Sequence, residues 1–293
     1  MEIKMEKKEF DVESITREHI SLERMIGSKN PKLLRCIPKF VMRSFKKLLH
    51  LDRINEEIYA QRHLDGPQFA SHVIDEILKV KVEITNPENI PYSSRALLVA
   101  NHPIGSIDGM SLIKVVGEKR DDILFPVNDM LCALPSFRDV FVPINKYGRN
   151  SSNHDVLNEA FRSNSCVMFF PAGTESKYID GKFQDYPWKK TFVKKAIEFQ
   201  RDVVPVYIEG KNSKRFYRLS AVRRFFGMKF DLEMILLPDE MFKYSGKTIK
   251  MTFGKPIKWE TFSKMHTHKE WAAIVRQHVY DLKDNPQKEL VTE

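Results

Sequence analysis

The sequence predicts an α/β fold, a mainly parallel sheet flanked by helices, which follows an amphipathic helical appendage at the N-terminus. Short apolar runs that end in polar turns recur between residues 96 and 208. Segments whose apolar residues return at helical spacing lie between these runs, and this rhythm is typical of strand–helix–strand units. We therefore divide the chain into a helical membrane-interface segment over residues 1–79 and an α/β domain over residues 80–293.

Composition and charge narrow the class of partner. The 293-residue chain is 42% hydrophobic and carries a formal net charge of +9. It can therefore bury a substantial core, and its charge favours an anionic partner. That partner could be nucleic acid, an anionic membrane surface or an acidic cosubstrate.

Cysteine usage and hydropathy indicate the compartment. Cys36, Cys132 and Cys166 are odd in number and lack Cys-x-x-Cys spacing, so neither a disulfide framework nor a zinc site is predicted. The first residues are charged, and no uninterrupted apolar run is long enough to span a bilayer. A reduced, cytoplasm-facing protein is therefore expected, and any contact with a membrane is expected from one side.

The N-terminal segment contains one informative stretch, residues 32–51. Six cations and no acidic residue alternate there with aliphatic and aromatic residues. Pro38 is expected in the first turn of a helix, after which Val41, Phe45 and Leu48 share one face. This pattern fits an interfacial membrane helix and, about equally well, a core-packing helix whose basic side is merely solvated.

The remaining elements follow from periodicity and turn residues. Strands are predicted at residues 80–84, 96–100, 123–127, 140–144, 166–170, 203–208, 231–237 and 248–253. Helices are predicted at residues 67–79, 108–116, 154–163 and 188–200, and around Trp271, Val275 and Val279. The last two strands could pair across a turn at residues 244–247.

The stretch over residues 97–109 carries the clearest chemistry. An apolar strand ends in Asn101 and His102, and a turn containing Gly105 brings Asp108 to the start of a helix. A neutral imidazole can take a proton from a hydroxyl near pH 7, and a neighbouring carboxylate fixes its tautomer. Ser106 does not complete a nucleophile triad, because the Gly-x-Ser-x-Gly elbow is missing. On this motif alone, a turn histidine beside an ordinary helix-capping aspartate is the more common structure.

Three further strands end in comparable turns, at residues 140–146, 169–177 and 203–208. The carboxyl ends of parallel strands meet at one edge of a sheet, where open α/β folds place their ligands. The four strand ends are therefore expected to line one crevice.

These four stretches resemble the ordered blocks of the lysophospholipid and glycerophosphate acyltransferase superfamily over about residues 96–208. The Asn-His-Pro-x-Gly-x-x-Asp-Gly and Phe-Pro-Ala-Gly runs are similar to its hemolysin-like branch, which includes bacterial O-acyltransferases of amino-acid lipids. The resemblance implies a glycerolipid acyltransferase-like fold and a lyso-lipid hydroxyl as the acceptor. It also implies an acyl carrier protein or coenzyme A thioester as donor cosubstrate, with no bound cofactor.

The resemblance also implies residue roles. His102 matches the general base and Asp108 its orienting carboxylate, while Gly173 and Thr174 match the block that binds the acceptor head group. Pro205 matches a proline that shapes the acyl-donor side. Asn101 and Gly105, in the block of the base, are further substrate-binding candidates.

Several positions depart from the family pattern. Five residues instead of four separate His102 from Asp108, so the turn must bulge, with Gly105 as the expected site. The family's Glu and Arg of the third block are Ala172 and Glu175 here, and the second block's Arg is replaced by lysine. These changes remove planar guanidinium groups, which bind phosphate through two hydrogen bonds, and add a carboxylate that would repel a phosphate.

Cations nonetheless remain near the expected mouth of the site. Lys146, Arg149 and Lys177 would suit a carboxylate-bearing aminolipid or an anionic phospholipid. Arg149 taken alone is more simply a solvated loop charge.

The expected reaction is direct acyl transfer without a metal. His102 would deprotonate the acceptor hydroxyl, and backbone N–H groups near Gly105 or Gly173 would stabilise the oxyanion. His266 and His268 are expected to be solvated and not to bind metal. Two alternatives stay open: a non-catalytic lipid- or carrier-binding protein on the same fold, and hydrolysis of the thioester by water.

Two basic stretches are expected to bind partners. Residues 188–200 place four lysines outside an apolar face, where they could meet an acidic carrier protein or lipid head groups. Residues 214–218 and 223–226 mix cations with aromatics, which is typical of membrane-interface anchoring. A nucleic-acid binder could show the same mixture, but no nucleic-acid motif accompanies it, so we expect no nucleic-acid partner.

Overall fold

The protein was analysed as a computed structural model, which describes residues 12–29, 31–128, 131–144, 151–227 and 232–291. Eleven α-helices occur in these ranges: α1 (Leu22–Lys29), α2 (Pro31–Cys36), α3 (Lys39–Leu48), α4 (Leu51–Ala60), α5 (Gly66–Ser71), α6 (Ser106–Gly117), α7 (Ser151–Arg162), α8 (Thr191–Glu198), α9 (Lys214–Phe225), α10 (Leu237–Phe242) and α11 (His268–Asp281). Within the described ranges, every helix is too short or too polar to cross a membrane.

Nine strands form one large sheet and one hairpin. The strands are β1 (Lys81–Thr85), β2 (Ala96–Ala100), β3 (Ile123–Asn128), β4 (Phe141–Ile144), β5 (Cys166–Phe169), β6 (Lys177–Ile179), β7 (Lys182–Gln184), β8 (Asp202–Glu209) and β9 (Thr248–Phe253). In the described residues, seven of them form a sheet in the order β1-β9-β8-β2-β5-β3-β4, and β6 pairs with β7. The pairs are parallel except for β8 with β9 and the β6–β7 hairpin. The predicted mainly parallel sheet flanked by helices is confirmed.

The centre of the sheet is buried on both faces. Every residue of β2 is buried; Leu98 and Ala100 contribute to one core cluster, and Leu97 and Val99 to the other. Residues of α5 and α6 pack in the first cluster, and residues of α7, α8 and α11 in the second. This two-layer cover explains why β2 is a continuous apolar run.

The strand prediction at residues 231–237 is wrong. Asp231 lies outside the described residues, and the segment that follows is a 3₁₀ turn over Leu232–Leu236 continued by α10. Pro238 in the first turn, with Asp239 and Glu240 after it, favours a helix start. The predicted hairpin at residues 244–247 is therefore also wrong, because β9 pairs with β1 and β8.

Two predicted helices differ in extent. The helix predicted at residues 67–79 is α5 followed by a π-helical turn over His72–Ile77. The helix predicted at residues 188–200 begins only at Thr191. Trp188 is nevertheless buried, and its core neighbours are Phe192 and Ala196, as the sequence pattern indicates.

The N-terminal helices pack partly on the rest of the protein, and a membrane contact of the basic stretch stays a prediction. In α3, which Pro38 precedes, Met42 is buried, whereas Phe40 is 69% exposed. Leu48 packs beside Phe216 of α9, and Ile58 and Phe69 contribute to the same core cluster as the sheet. The division of the chain at residue 79 stays a prediction.

Candidate active site

His102 and Asp108 meet at the carboxyl end of β2. Nδ1 of His102 lies 3.0 Å from Oδ2 of Asp108, and Asp108 is fully buried at the start of α6. The carboxylate holds the Nδ1 side of the ring, so Nε2 is the nitrogen with a lone pair for a proton. The geometry is that of an oriented general base.

The turn between these residues depends on Gly105. Its φ of +114° suits glycine, and a Cβ there would lie 2.9 Å from Cδ2 of Leu237. Oδ2 of Asp108 also accepts hydrogen bonds from the N–H groups of Ile104 (2.8 Å) and Gly105 (3.0 Å). The carboxylate thus caps the helix and fastens the turn that brings it back to His102. The expected irregularity is at Gly105.

The ring of His102 is held between packing and charge. It stacks on Phe170 with the ring centroids 3.9 Å apart. Burial lowers the pKa of His102, but the hydrogen bond and charge of Asp108, together with the charges of Glu175 and Asp185, more than offset it, and the net pKa is raised. A base with a raised pKa binds the transferred proton more strongly.

Asp185 is buried and forms several hydrogen bonds, one of them with the backbone of His102. Its Oδ1 accepts from the backbone N–H of His102 at 3.2 Å and from Oγ of Ser176 at 2.5 Å. Its Oδ2 accepts from Nε1 of Trp188 at 2.9 Å, and its own N–H donates to the hydroxyl of Tyr280 at 2.8 Å. Burial raises the pKa of Asp185 in spite of these donors. This network joins the strand end, the third block and α11.

A second carboxylate faces the other side of the base. Oε1 of Glu175 lies 3.9 Å from Nε2 of His102, and the Glu175 side chain is buried. Its Oε2 accepts a hydrogen bond from Oγ1 of Thr174 at 3.1 Å. The distance to Nε2 exceeds a hydrogen bond, so this carboxylate does not occupy the Nε2 atom.

Lys177 is buried and does not face solvent. Its ammonium lies 3.0 Å from Glu233 and 3.9 Å from Glu175. Glu233 in turn lies 3.0 Å from Nε of Arg223 on α9. Burial raises the pKa of Glu233. Its own backbone N–H and the charge of Lys177 lower that pKa by a larger amount, so the net pKa is lowered. The cation expected at the mouth belongs to a buried chain of ion pairs.

Gly173 and Thr174 lie in the turn after β5, as the block pattern indicates. Gly173 has a φ of +71°, and a Cβ there would lie 2.8 Å from Nζ of the exposed Lys189. Lys189 therefore places a cation beside this turn. One backbone N–H group of the turn already has an acceptor, because Gly173 donates to the carbonyl of Phe170.

Asn101 and Pro205 have structural contacts. The amide of Asn101 exchanges two hydrogen bonds with the backbone of Ile208, at 2.7 Å and 2.8 Å. Pro205 lies in β8 opposite Val99 of β2. Both residues fix β2 against β8 and thereby position the strand end that carries His102.

Other sequence-derived candidates are placed as follows. Lys146 and Arg149 lie outside the described residues. Cys166 is buried in β5, and burial raises the pKa of its thiol to about 12, which disfavours a nucleophilic role. Among the described residues, no group of His, Cys, Asp and Glu side chains could hold a metal ion.

Sequence reasoning missed the residues that reach the site from elsewhere in the chain. Asp185, Tyr280 and Glu233 contact the catalytic block or its neighbours from distant positions. None of them stands in a recognisable motif. The sequence carries no signal for Glu233, because the burial of Lys177, which requires a carboxylate partner, is known only from the structure.

Comparisons with known proteins identify the family of this chain. The sequence profile of the acyltransferase family matches residues 24–288. The lyso-glycine lipid O-acyltransferase of Bacteroides thetaiotaomicron is 40% identical over 265 residues, which are 90% of this chain and 97% of that protein. The enzyme of the same name from Phocaeicola vulgatus is 38% identical, over 90% of this chain and 95% of that protein.

One solved structure is a more distant neighbour. The crystal structure of the 1-acyl-sn-glycerophosphate acyltransferase PlsC from Thermotoga maritima is 19% identical, covers 85% of this chain and 91% of its own, and superposes with a TM-score of 0.49. The family profile and the two relatives near 40% identity each span about nine-tenths of the chain. The chain therefore belongs to the acyltransferase family, within the lysophospholipid acyltransferase superfamily that its four blocks resemble, and it is an enzyme that transfers acyl groups.

Proposed function

We propose that this enzyme moves a fatty acyl group from an acyl thioester to the hydroxyl of a lyso-lipid, with His102 as the general base. The observation that carries the proposal is the fixed ring of His102. Its Nδ1 is hydrogen-bonded to Asp108, and its Nε2 lies 3.9 Å from Oε1 of Glu175. A hydroxyl oxygen that lies off the line between these two atoms can come within hydrogen-bond distance of both. General-base assistance of this kind is worth about 10²–10⁴-fold in rate.

The reaction proceeds in two steps. Nε2 of His102 takes the proton of the acceptor hydroxyl while the oxygen forms a bond to the thioester carbonyl carbon. The tetrahedral intermediate then collapses, the carbon–sulfur bond breaks, and the imidazolium returns its proton to the leaving thiolate. Asp108 stabilises the imidazolium between the two steps. No side chain is acylated.

The oxyanion needs backbone donors near His102. The sequence suggested N–H groups around the Gly105 or Gly173 turns, and among these the N–H groups of the two glycines themselves already donate to Asp108 and to the carbonyl of Phe170. The first N–H groups of a helix lack intrahelical acceptors. We assign the oxyanion to the first turn of α6, where Ser106 and Ile107 follow Gly105.

We propose an amino-acid lipid as the acceptor, in line with the names of the two relatives. Glycine has no hydroxyl of its own, so the accepting hydroxyl must belong to the chain already attached to a glycine lipid. The buried carboxylate of Glu175 stands beside the base. A phosphate next to the reacting hydroxyl would meet this negative charge, whereas an uncharged neighbouring group would not.

The donor is proposed to be an acyl carrier protein or coenzyme A thioester. The exposed ammonium of Lys189 lies beside the Gly173 turn, and Lys190 and Lys194 are exposed nearby in sequence. Cations in this position suit the phosphate of a coenzyme A or carrier-protein prosthetic group and an acidic carrier surface. We place the reaction at the cytoplasmic face of the inner membrane, because its product and acceptor are lipids.

Thioester hydrolysis uses the same base with water in place of the lipid hydroxyl, and acceptor dependence separates the two reactions. The non-catalytic binding protein is disfavoured, because the chain belongs to a family of enzymes and retains a bonded His102–Asp108 pair.

The test is acyl transfer from acyl carrier protein and from acyl-coenzyme A to lyso-glycine lipid and to lysophosphatidic acid. Wild type, His102→Ala and the control His72→Ala are compared; His72 is hydrogen-bonded to Glu57 outside the site. Ester formed by wild type and His72→Ala, with at least a hundredfold loss in His102→Ala, supports the proposal. Thioester loss that is independent of the acceptor would establish hydrolysis instead.

A further inference from the structure

Three exposed apolar side chains lie on one face of α9, and we call this face the aromatic surface. It consists of Val222, Phe225 and Phe226, which follow one another at the three- and four-residue spacing of a helix face. Phe225 is 84% exposed and Phe226 is 69% exposed. A group of exposed apolar side chains of this kind marks a site of interaction with a protein or a membrane.

The hairpin and the helix form one unit. Nη2 of Arg224 donates to the carbonyl of Tyr178 at 3.0 Å. The ring of Phe183 packs on that of Tyr178 at 5.0 Å and on that of Tyr217 in α9 at 4.7 Å. The hairpin therefore packs on the side of α9 that carries Tyr217 and Arg224, and the aromatic surface is on another side of the helix.

The same unit is linked to the active site by charge. Lys177, the residue before Tyr178, is paired with Glu233, and Glu233 is paired with Arg223 next to Arg224. Glu175, which faces Nε2 of His102, begins this chain of ion pairs. These ion pairs therefore connect the surroundings of the base with α9.

Charge decides what covers the aromatic surface. Helix α9 carries five cations and no acidic residue over Lys214–Phe225, and Lys214 and Arg218 are exposed. Asp180 at the hairpin tip is the one acidic residue of residues 177–184. Exposed aromatics flanked by exposed cations fit the interface of an anionic bilayer, where rings enter the head-group region and cations meet lipid phosphates.

We propose that the aromatic surface docks on an anionic lipid bilayer and so holds the enzyme at the membrane that contains the lyso-lipid. The proposal rests on the proposed function for the identity of the lyso-lipid, but the docking itself can be measured without catalysis. Each ring that enters the bilayer removes apolar area from water, and each cation near an anionic surface adds attraction that salt screens.

The docking test is flotation of the full-length protein with vesicles of phosphatidylglycerol and phosphatidylcholine in equal parts, and with phosphatidylcholine alone. We expect the double variant Phe225→Ser/Phe226→Ser to lose at least about tenfold in partitioning to both kinds of vesicle. Lys214→Gln/Arg218→Gln is expected to lose about fivefold or more on the anionic vesicles alone, and added salt to reduce the difference. The control Met265→Ser, at a side chain that is 67% exposed elsewhere, is expected to bind as wild type does. Circular dichroism confirms that each variant is folded.

A competing docking site is the exposed Phe40 of α3. If Phe40→Ser loses partitioning and Phe225→Ser/Phe226→Ser does not, the N-terminal helix is the membrane contact and the proposal is wrong. Normal partitioning of the Phe225→Ser/Phe226→Ser variant overturns it in any case.

The effect of docking on catalysis is tested by activity on acceptor in vesicles relative to acceptor in detergent micelles. This ratio should fall at least about tenfold in Phe225→Ser/Phe226→Ser and stay unchanged in Met265→Ser. An unchanged ratio in the double variant would overturn this part of the proposal. If wild type transfers no acyl group in either medium, the proposed function fails while the flotation result still decides the docking.

Discussion

Nε2 of His102 lies 3.9 Å from Oε1 of Glu175, and Nδ1 of the same ring lies 3.0 Å from Oδ2 of Asp108. The histidine thus has a bonded carboxylate on one side and a second carboxylate across a gap on the other. Both raise the pKa of His102 against its burial. The first two predictions separate their roles.

Asp108→Asn should lower kcat/KM by about 10²–10⁴-fold, because the imidazolium loses its stabilising charge. A general base acts only when neutral, so activity declines below the pKa of His102. Asp108 raises that pKa, and the acidic limb of the kcat/KM profile should therefore move to lower pH in the variant. The control Asp121→Asn changes an exposed aspartate and should leave the profile in place. An unmoved acidic limb in Asp108→Asn would show that Asp108 does not set the pKa.

Glu175→Gln should also move the acidic limb to lower pH, by less than Asp108→Asn, because its carboxylate has no hydrogen bond to the ring. Removing the charge should also favour phosphate-bearing acceptors. The measurement is kcat/KM for lysophosphatidic acid relative to lyso-glycine lipid, with the exposed Glu76→Gln as control. A ratio equal to that of wild type would remove Glu175 from acceptor selection.

Gly105→Ala should cost about 1–3 kcal/mol in the free energy of unfolding. Its φ of +114° disfavours a side chain, and the new Cβ would lie 2.9 Å from Leu237. Because the turn carries two N–H donors to Asp108, activity should fall as well. Gly246→Ala is the matched control, since Gly246 has a φ of +72° and no atom within 4 Å of the added Cβ. Urea denaturation and kcat/KM measure both effects, and equal activity losses in the two variants would contradict the prediction.

Glu233→Gln should destabilise the protein by about 3–5 kcal/mol, because it leaves Lys177 and Arg223 short of a buried negative charge. The lowered pKa of Glu233 means that its contribution is present above its unfolded pKa and is lost as the pH falls through its folded pKa. Wild type and variant should therefore converge in stability at acidic pH. The control Glu198→Gln removes an exposed pair with Lys195 and should cost less than about 1 kcal/mol. Equal urea midpoints for the two variants would show that the buried pairs do not stabilise the fold.

The sequence predicts the central strands well because their signal is local. The apolar run of β2 ends at Ala100 in both sequence and structure, since burial on both faces demands apolar residues and the polar Asn101 follows directly. The approach of His102 and Asp108 is equally local, because one glycine turn spans it.

Distant contacts explain what the sequence does not predict. The hydropathy of residues 231–237 predicts a strand, but Pro238 and the acidic residues after it favour the start of a helix. The sequence predicts Lys177 as a solvent-facing cation. In the structure it is buried and paired with Glu233, which lies 56 residues later in the chain. Pairings of this kind depend on packing that no spacing rule describes.

The position of β9 has a consequence for the order in which the sheet can be completed. β9 lies between β1 and β8, so Lys81 pairs with Thr248 although most of the chain separates them. During synthesis from the N-terminus, β1 leaves the ribosome long before β9, its one neighbour in the sheet of the described residues, exists. The strands β2 to β8 can assemble first, and β1 must wait with an unpaired edge until residues 248–253 arrive. Completion of the N-terminal side of this enzyme is therefore a late, long-range step, of the kind that slows folding.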